Sequence, residues 1–145
     1  MQTTWVKDYE ISIQEAPDYH WYSYDSKNYD KVFHLTSAED FTRTILLTIK
    51  RAHQEKKVVL VVPYYTIVDH CALPAGNRLF LMLNDLLCLF NLESLDIDKQ
   101  QKLDTIGTMF ASYPYKQDFI LYGELDIFRV TSNLSIQWQF SGKDI

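Results

Sequence analysis

Only four glycines and four prolines occur in the 145 residues. Loops that wrap phosphate with their backbone need several glycines in a short stretch, so P-loop and dinucleotide-binding fingerprints are nearly excluded. Cysteine is scarcer still. Cys71 and Cys88 are the only two, and they are not in a C-x-x-C pair. A small secreted domain framed by disulfides would carry more, so a reducing cytoplasm is the default expectation. No basic segment leads into an apolar run at the N-terminus, and no signal peptide is expected there. The longest apolar stretch, Leu79 to Leu92, is broken by Asn84-Asp85 and is too short to span a bilayer. Positive charge is in deficit as well: fourteen Lys and Arg stand against nineteen Asp and Glu, for a net charge of −5. A nucleic-acid partner would demand a basic face, so it is not expected, whereas a basic protein partner suits the charge.

Aromatic side chains, by contrast, are plentiful: ten Tyr, eight Phe and three Trp. The apolar share of 47% is that of a globular protein, and the length suits a single domain over 1–145. No linker-like or low-complexity tract divides the chain.

The patterning points to an α+β fold, an antiparallel, meander-rich twisted sheet with one main amphipathic helix packed on it. Thr3 to Ile13 alternates as a strand that stops at Glu15-Ala16-Pro17-Asp18. The polar-aromatic segment Tyr19 to Asp30 follows, and Lys31 to Leu35 reads as a short strand. Ser37 with Glu39 and Asp40 resembles a helix N-cap, and Phe41, Ile45, Leu46, Ile49 and Ala52 fall at helical spacing. The predicted helix runs from about Ala38 to Gln54. Val58 to Val62 is a β-branched run closed by Pro63, the mark of a central strand buried on both faces.

A weak internal repeat is visible further on. Leu87 to Leu92 matches Leu125 to Val130 at an offset of about 38 residues. The second copy reads as a hairpin, Phe119 to Tyr122 and Leu125 to Val130 around Gly123-Glu124, so the first is read as a hairpin around Asn84-Asp85. Asp98 to Ser112 has room for a short helix, against which Gly107 argues. Leu134, Ile136, Trp138 and Phe140 alternate cleanly, and that face of the last strand is expected to be the buried one.

The search for chemistry starts with His20, His34, His53 and His70, which are far apart and form no metal-ligand spacing. No metal or cofactor is expected. Asp69-His70-Cys71 is the most reactive-looking triplet, yet neighbours on a strand point to opposite faces. Glu124 and Asp126 could pair as acid and base, but a solvated sheet face explains them more cheaply. No catalytic residue is assigned. The segment Tyr19 to Asp30 carries the better signal, because large aromatic area with adaptable polar groups is typical of protein contacts. Asp18, Trp21, Tyr22, Tyr24, Asp25, Tyr29 and Asp30 are its candidate partner-binding residues.

The ending, Asp118 to Val130 followed by Ile136 to Ile145, resembles a family. It is similar to small bacterial proteins that end in a G-E-x-x-I-x-R-hydrophobic strand and W-x-F-S-G-x-D-I, the immunity proteins of polymorphic and contact-dependent growth inhibition toxins. The resemblance covers about 28 residues and implies a cytoplasmic inhibitor that binds a cognate toxin domain, in particular a nuclease-type one. It also implies a core role for Trp138 and Phe140. The alternatives are an accessory or structural subunit of a bacterial or phage assembly, and a small hydrolase using His70 and Cys71.

Overall fold

The computed structural model describes residues 1–16, 28–36 and 41–142. These build thirteen strands in three sheets, with no α-helix among the described residues and therefore none long and apolar enough to cross a membrane. The α+β expectation is overturned: the chain is nearly all β. Two compact units divide it, residues 1–68 and 69–145.

The first unit is a five-stranded sheet. Its strands are β1 (Gln2–Val6), β2 (Tyr9–Glu15), β3 (Lys31–His34), β4 (Thr42–Arg51) and β5 (Gln54–Pro63), in the order β1-β2-β4-β5-β3. The single alternating strand expected over Thr3 to Ile13 is a hairpin instead, because Lys7 takes a left-handed backbone (φ 52°) and turns the chain. The predicted helix over 38–54 is the largest error. Residues 38–40 lie outside the described residues, and most of the rest is β4, turning at Ala52-His53 into β5; β4 pairs with β2 on one side and over ten positions with β5 on the other. Ile45, Leu47 and Ile49 are buried on one face, while Thr44, Leu46 and Thr48 alternate with them, half-buried, on the other. Apolar residues at 45, 46 and 49 satisfy either period, and the β-branched Thr42, Thr44, Ile45, Thr48 and Ile49 favour the pleat. An interior strand was already present in Val58–Val62, which is fully buried. A hairpin partner beside it satisfies a ladder of backbone groups that a helix laid across it could not.

The second unit is two consecutive up-and-down meanders. The first holds β6 (Ala72–Ala75), β7 (Arg78–Leu83), β8 (Leu86–Asn91) and β9 (Asp96–Lys102). The second holds β10 (Met109–Tyr115), β11 (Asp118–Gly123), β12 (Asp126–Val130) and β13 (Ile136–Ser141). Both expected hairpins are present, the first turning at Asn84, where φ is 57°, a conformation asparagine tolerates. The short helix considered within Asp98–Ser112 is absent, its residues being divided among β9, the connection 103–108 and β10.

The internal repeat is a repeat of meanders, and its structural offset is 40. β7 and β11 begin at 78 and 118, β8 and β12 at 86 and 126, β9 and β13 at 96 and 136. Each meander also has a register shift between its last two strands. The second turn is Glu124-Leu125, one residue later than the sequence suggests. Gly123 is needed for close approach rather than for the turn. A Cβ there would stand 2.5 Å from the Thr108 carbonyl oxygen, which accepts a bond from the Glu124 amide.

The core of this unit lies between the meanders. Phe80, Met82, Leu87 and Leu89 from one sheet meet Phe119, Leu121, Phe128 and Val130 from the other. The Phe80 and Phe119 rings stack with centroids 4.4 Å apart.

Candidate protein-binding face

The two faces of the β10–β13 sheet differ in what they meet. The inward one is closed by the core just described. On the outward one, the register aligns Tyr113, Ile120, Arg129 and Trp138 in one row across all four strands. The adjacent row carries Tyr122, Ile127 and Phe140. An irregularity between Met109 and Ala111 adds one residue to β10 and brings the Phe110 ring to Tyr122, edge-on at 6.1 Å. Tyr113 and Tyr122 stack at 5.8 Å, and Trp138 tilts onto Phe140 at 5.3 Å.

Phe110, Tyr113, Tyr115, Tyr122, Trp138 and Phe140 are each 37–54% exposed. Single exposed apolar residues are ordinary, but six aromatics on one sheet form a contiguous patch of the kind that marks an interaction surface. The face is also nearly neutral. Arg129 Nε donates to Asp118 Oδ2 at 2.9 Å, and the guanidinium lies 4.9 Å from the centre of the Tyr115 ring. The charge is thereby paired and stacked in place, leaving a planar group among aromatic rings.

This corrects the expectation for the last strand. Ile136, Trp138 and Phe140 are not core: all three are exposed, and only Leu134 of that alternating set is buried. The bulge between β12 and β13 breaks the simple alternation, and among the described residues β13 is an edge strand.

The other residues singled out from the sequence fall elsewhere. Asp18, Trp21, Tyr22, Tyr24 and Asp25 lie outside the described residues. Tyr29 is half-buried against the Ala16, Val59 and Val61 cluster. The Asp30 carboxylate accepts a bond from the Lys57 amide at 2.8 Å, and its own amide donates to the Lys57 carbonyl at 2.8 Å. These contacts tie the entry of β3 to β5.

His70 and Cys71 stand in different environments. His70 is exposed, with a left-handed backbone, and its carbonyl accepts from the Ser112 amide and hydroxyl at 2.9 and 3.0 Å. Cys71 is fully buried, and burial first, then the Asp69 charge, push its thiol up to about 12. Burial alone does the same to Cys88. At pH 8 a thiol with that value is about one part in 10⁴ thiolate, too little for a nucleophile. A thiol-reactive dye is therefore expected to label neither cysteine in the folded chain at pH 8 and both in denaturant. Rapid labelling of the native protein at Cys71 would return the hydrolase reading to consideration.

Glu124 and Asp126 separate by environment. Glu124 is exposed, whereas Asp126 is buried at 4% exposure beside a cavity of about 540 Å³ that Asp104, Ile106, Leu125 and Gly142 also line. Burial by itself raises the Asp126 carboxyl, but hydrogen bonds from Thr105, Ser141 and Gln139 outweigh it and hold the group below its usual range. Ser141 donates at 2.8 Å and Gln139 at 3.2 Å. With three donors on one carboxylate, Asp126 is a staple between the β9–β10 connection and the edge strand. Because the folded value is depressed, its stabilisation is complete above the unfolded value near pH 4 and is lost as pH falls through the folded one. Asp126→Asn is expected to cost about 1–3 kcal/mol at pH 7 and much less at pH 3, read by urea unfolding. An equal cost at both pH values would remove the charge from the argument.

No protein family model matches the chain, and comparison with the curated proteins found no match.

Proposed function

We propose that this chain is a non-catalytic protein-binding module, an immunity-type inhibitor that neutralises a bacterial toxin domain by docking on it through the aromatic face of β10–β13. The observation that carries this reading is that face. Six exposed rings surround a paired arginine, which is the mix of tyrosine, tryptophan, phenylalanine and arginine that concentrates binding energy at protein interfaces. Arg129, Trp138 and Phe140 all belong to the terminal segment on which the resemblance to immunity proteins rests. The charge distribution suits a basic partner: residues 69–145 contain ten acidic and six basic side chains, nearly the whole of the net charge. An acidic excess in the unit that carries the aromatic face would steer encounter and select the partner.

The test is recovery of the tagged chain from its native cells, with bound protein identified by mass spectrometry. A toxin domain in stoichiometric amount is expected, and co-expression of the chain should relieve that domain's toxicity. Recovery of the chain alone, from cells expressing the neighbouring genes, would sink the proposal.

A further inference from the structure

We propose that the cavity between the β9–β10 connection and the end of β13 is a binding site for an organic cation, a guanidinium group carried on a short aliphatic stem. Gln139 and Ser141, which line it, stand in register with the buried Phe128 and Asp126, so the cavity lies on the inward side of β13. Trp138 and Phe140 occupy the other side of that strand, and the inference stands apart from the reading of the aromatic face.

The walls give the chemistry. At about 540 Å³ the cavity falls within the size range of small-molecule sites. Ile106 and Leu125 supply apolar wall, and Ile106 is 90% exposed. Gly107 and Gly142 close on Leu125 from two sides, since a Cβ on either would stand 3.2 Å from its side chain. That wall is therefore in place before any ligand arrives, which lowers the cost of binding. The polar wall is made of two carboxylates, Asp104 and Asp126, and two hydroxyls, Thr105 and Ser141. Among the described residues no lysine or arginine lines the cavity.

Asp126 distinguishes this cavity from an acidic patch of surface. It is buried, and its three donors keep it ionised at neutral pH. A carboxylate offers about four acceptor positions. Gln139 and Ser141 take both on Oδ1, whereas Oδ2 accepts from Thr105 alone among the described residues. A buried, charged oxygen thus has one acceptor position to give to a ligand, and a cationic donor makes the strongest bond there. An ammonium ion would have to shed a tightly held hydration shell to enter a partly apolar space. Guanidinium is more weakly hydrated, and its planar fork can reach several oxygens at once. The aliphatic stem would lie along Ile106 and Leu125. An arginine side chain and a free alkylguanidine share this chemistry.

Titration of the isotope-labelled full chain with n-butylguanidinium, followed by amide chemical shifts, tests the site, and n-butylurea serves as the uncharged counterpart. Saturable shifts are expected at Thr105, Ile106 and Leu125, with a Kd on the order of 1 mM for a ligand of about eight heavy atoms. Butylurea should bind about tenfold more weakly or not at all. Asp104→Asn and Ile106→Ser, both at exposed positions, should each weaken butylguanidinium binding roughly fivefold while the amide spectrum stays that of a folded chain. Asp126 is left unaltered because its bonds hold the corner together. The proposal is overturned if no saturable shift reaches these residues up to about 20 mM, several times the expected Kd. Equal binding of butylurea, or wild-type affinity in both variants, overturns it as well. The same variants, used in the partner capture described above, tell the two sources apart. Weakened capture assigns the cation to an arginine side chain of the partner. Unchanged capture, with butylguanidinium binding reduced, assigns it to a free small molecule.

Discussion

Phe128→Ala is expected to lower the stability of the second unit by about 3–5 kcal/mol, whereas Phe140→Ala, one register away on the neighbouring strand, should cost about 1 kcal/mol. The residue type and the sheet are the same, and only the face differs. Phe128 is fully buried in the cluster formed with Phe80, Leu121 and Val130, where close packing leaves its neighbours little room to collapse into the cavity. Phe140 is 54% exposed and loses only its contact with Trp138 and part of its burial. Urea unfolding would read the difference as a shift in midpoint at constant slope. Equal costs for the two would mean that the assignment of inward and outward faces is wrong, and the binding proposal would fall with it.

The second large effect is on binding. Trp138→Ala and Tyr113→Ala should each weaken association with the captured partner by about 2–4 kcal/mol, or roughly 30- to 1,000-fold. They stand at the two ends of one row across the sheet, on β10 and β13, joined through Ile120 and Arg129, and truncating such exposed aromatic anchors is what costs most at protein interfaces. Large rigid rings there lose little side-chain entropy when fixed. Trp5→Ala is the control: that ring is 58% exposed but lies on β1 in the first unit. Titration calorimetry that finds all three variants equal to the wild type would exclude the β10–β13 face as the interface.

Local patterning identified much of the second unit correctly. The Asn84-Asp85 hairpin follows from a turn pair between apolar runs, and the repeat that disclosed it is a true repeat of meanders, though shifted by two residues from the offset seen by eye. Val58 to Val62 was legible as a doubly buried strand because five consecutive apolar residues leave no polar face. Thr42 to Arg51 was not legible, since the same residues fit both a helical and a pleated period, and what selected the strand was a neighbour waiting for hydrogen bonds on both its edges.

The binding face shows the limit most clearly. Ile136, Trp138 and Phe140 alternate with Gln137 and Gln139 just as a buried strand would, and nothing in that alternation distinguishes a face with a sheet behind it from one without. The aromatic wealth directed attention to Tyr19–Asp30, most of which lies outside the described residues, and not to the rings of β10–β13. Tyr113, Tyr122 and Trp138 are separated by up to 25 residues in sequence, and only strand pairing brings them onto one face of one sheet.

By itself, then, the sequence determined the strands with one unambiguous period, their turns, the absence of a phosphate-wrapping glycine loop, and the repeat. These are properties of residues within a dozen positions of each other, decided by local sterics and by which side chains water rejects. The tertiary structure alone decided that the supposed helix is a strand, that Cys71 is buried, that Asp126 is a staple, and that six aromatic rings of one sheet stand exposed. Each depends on what stands on the far side of a sheet, and that is settled by long-range packing, which no local pattern encodes.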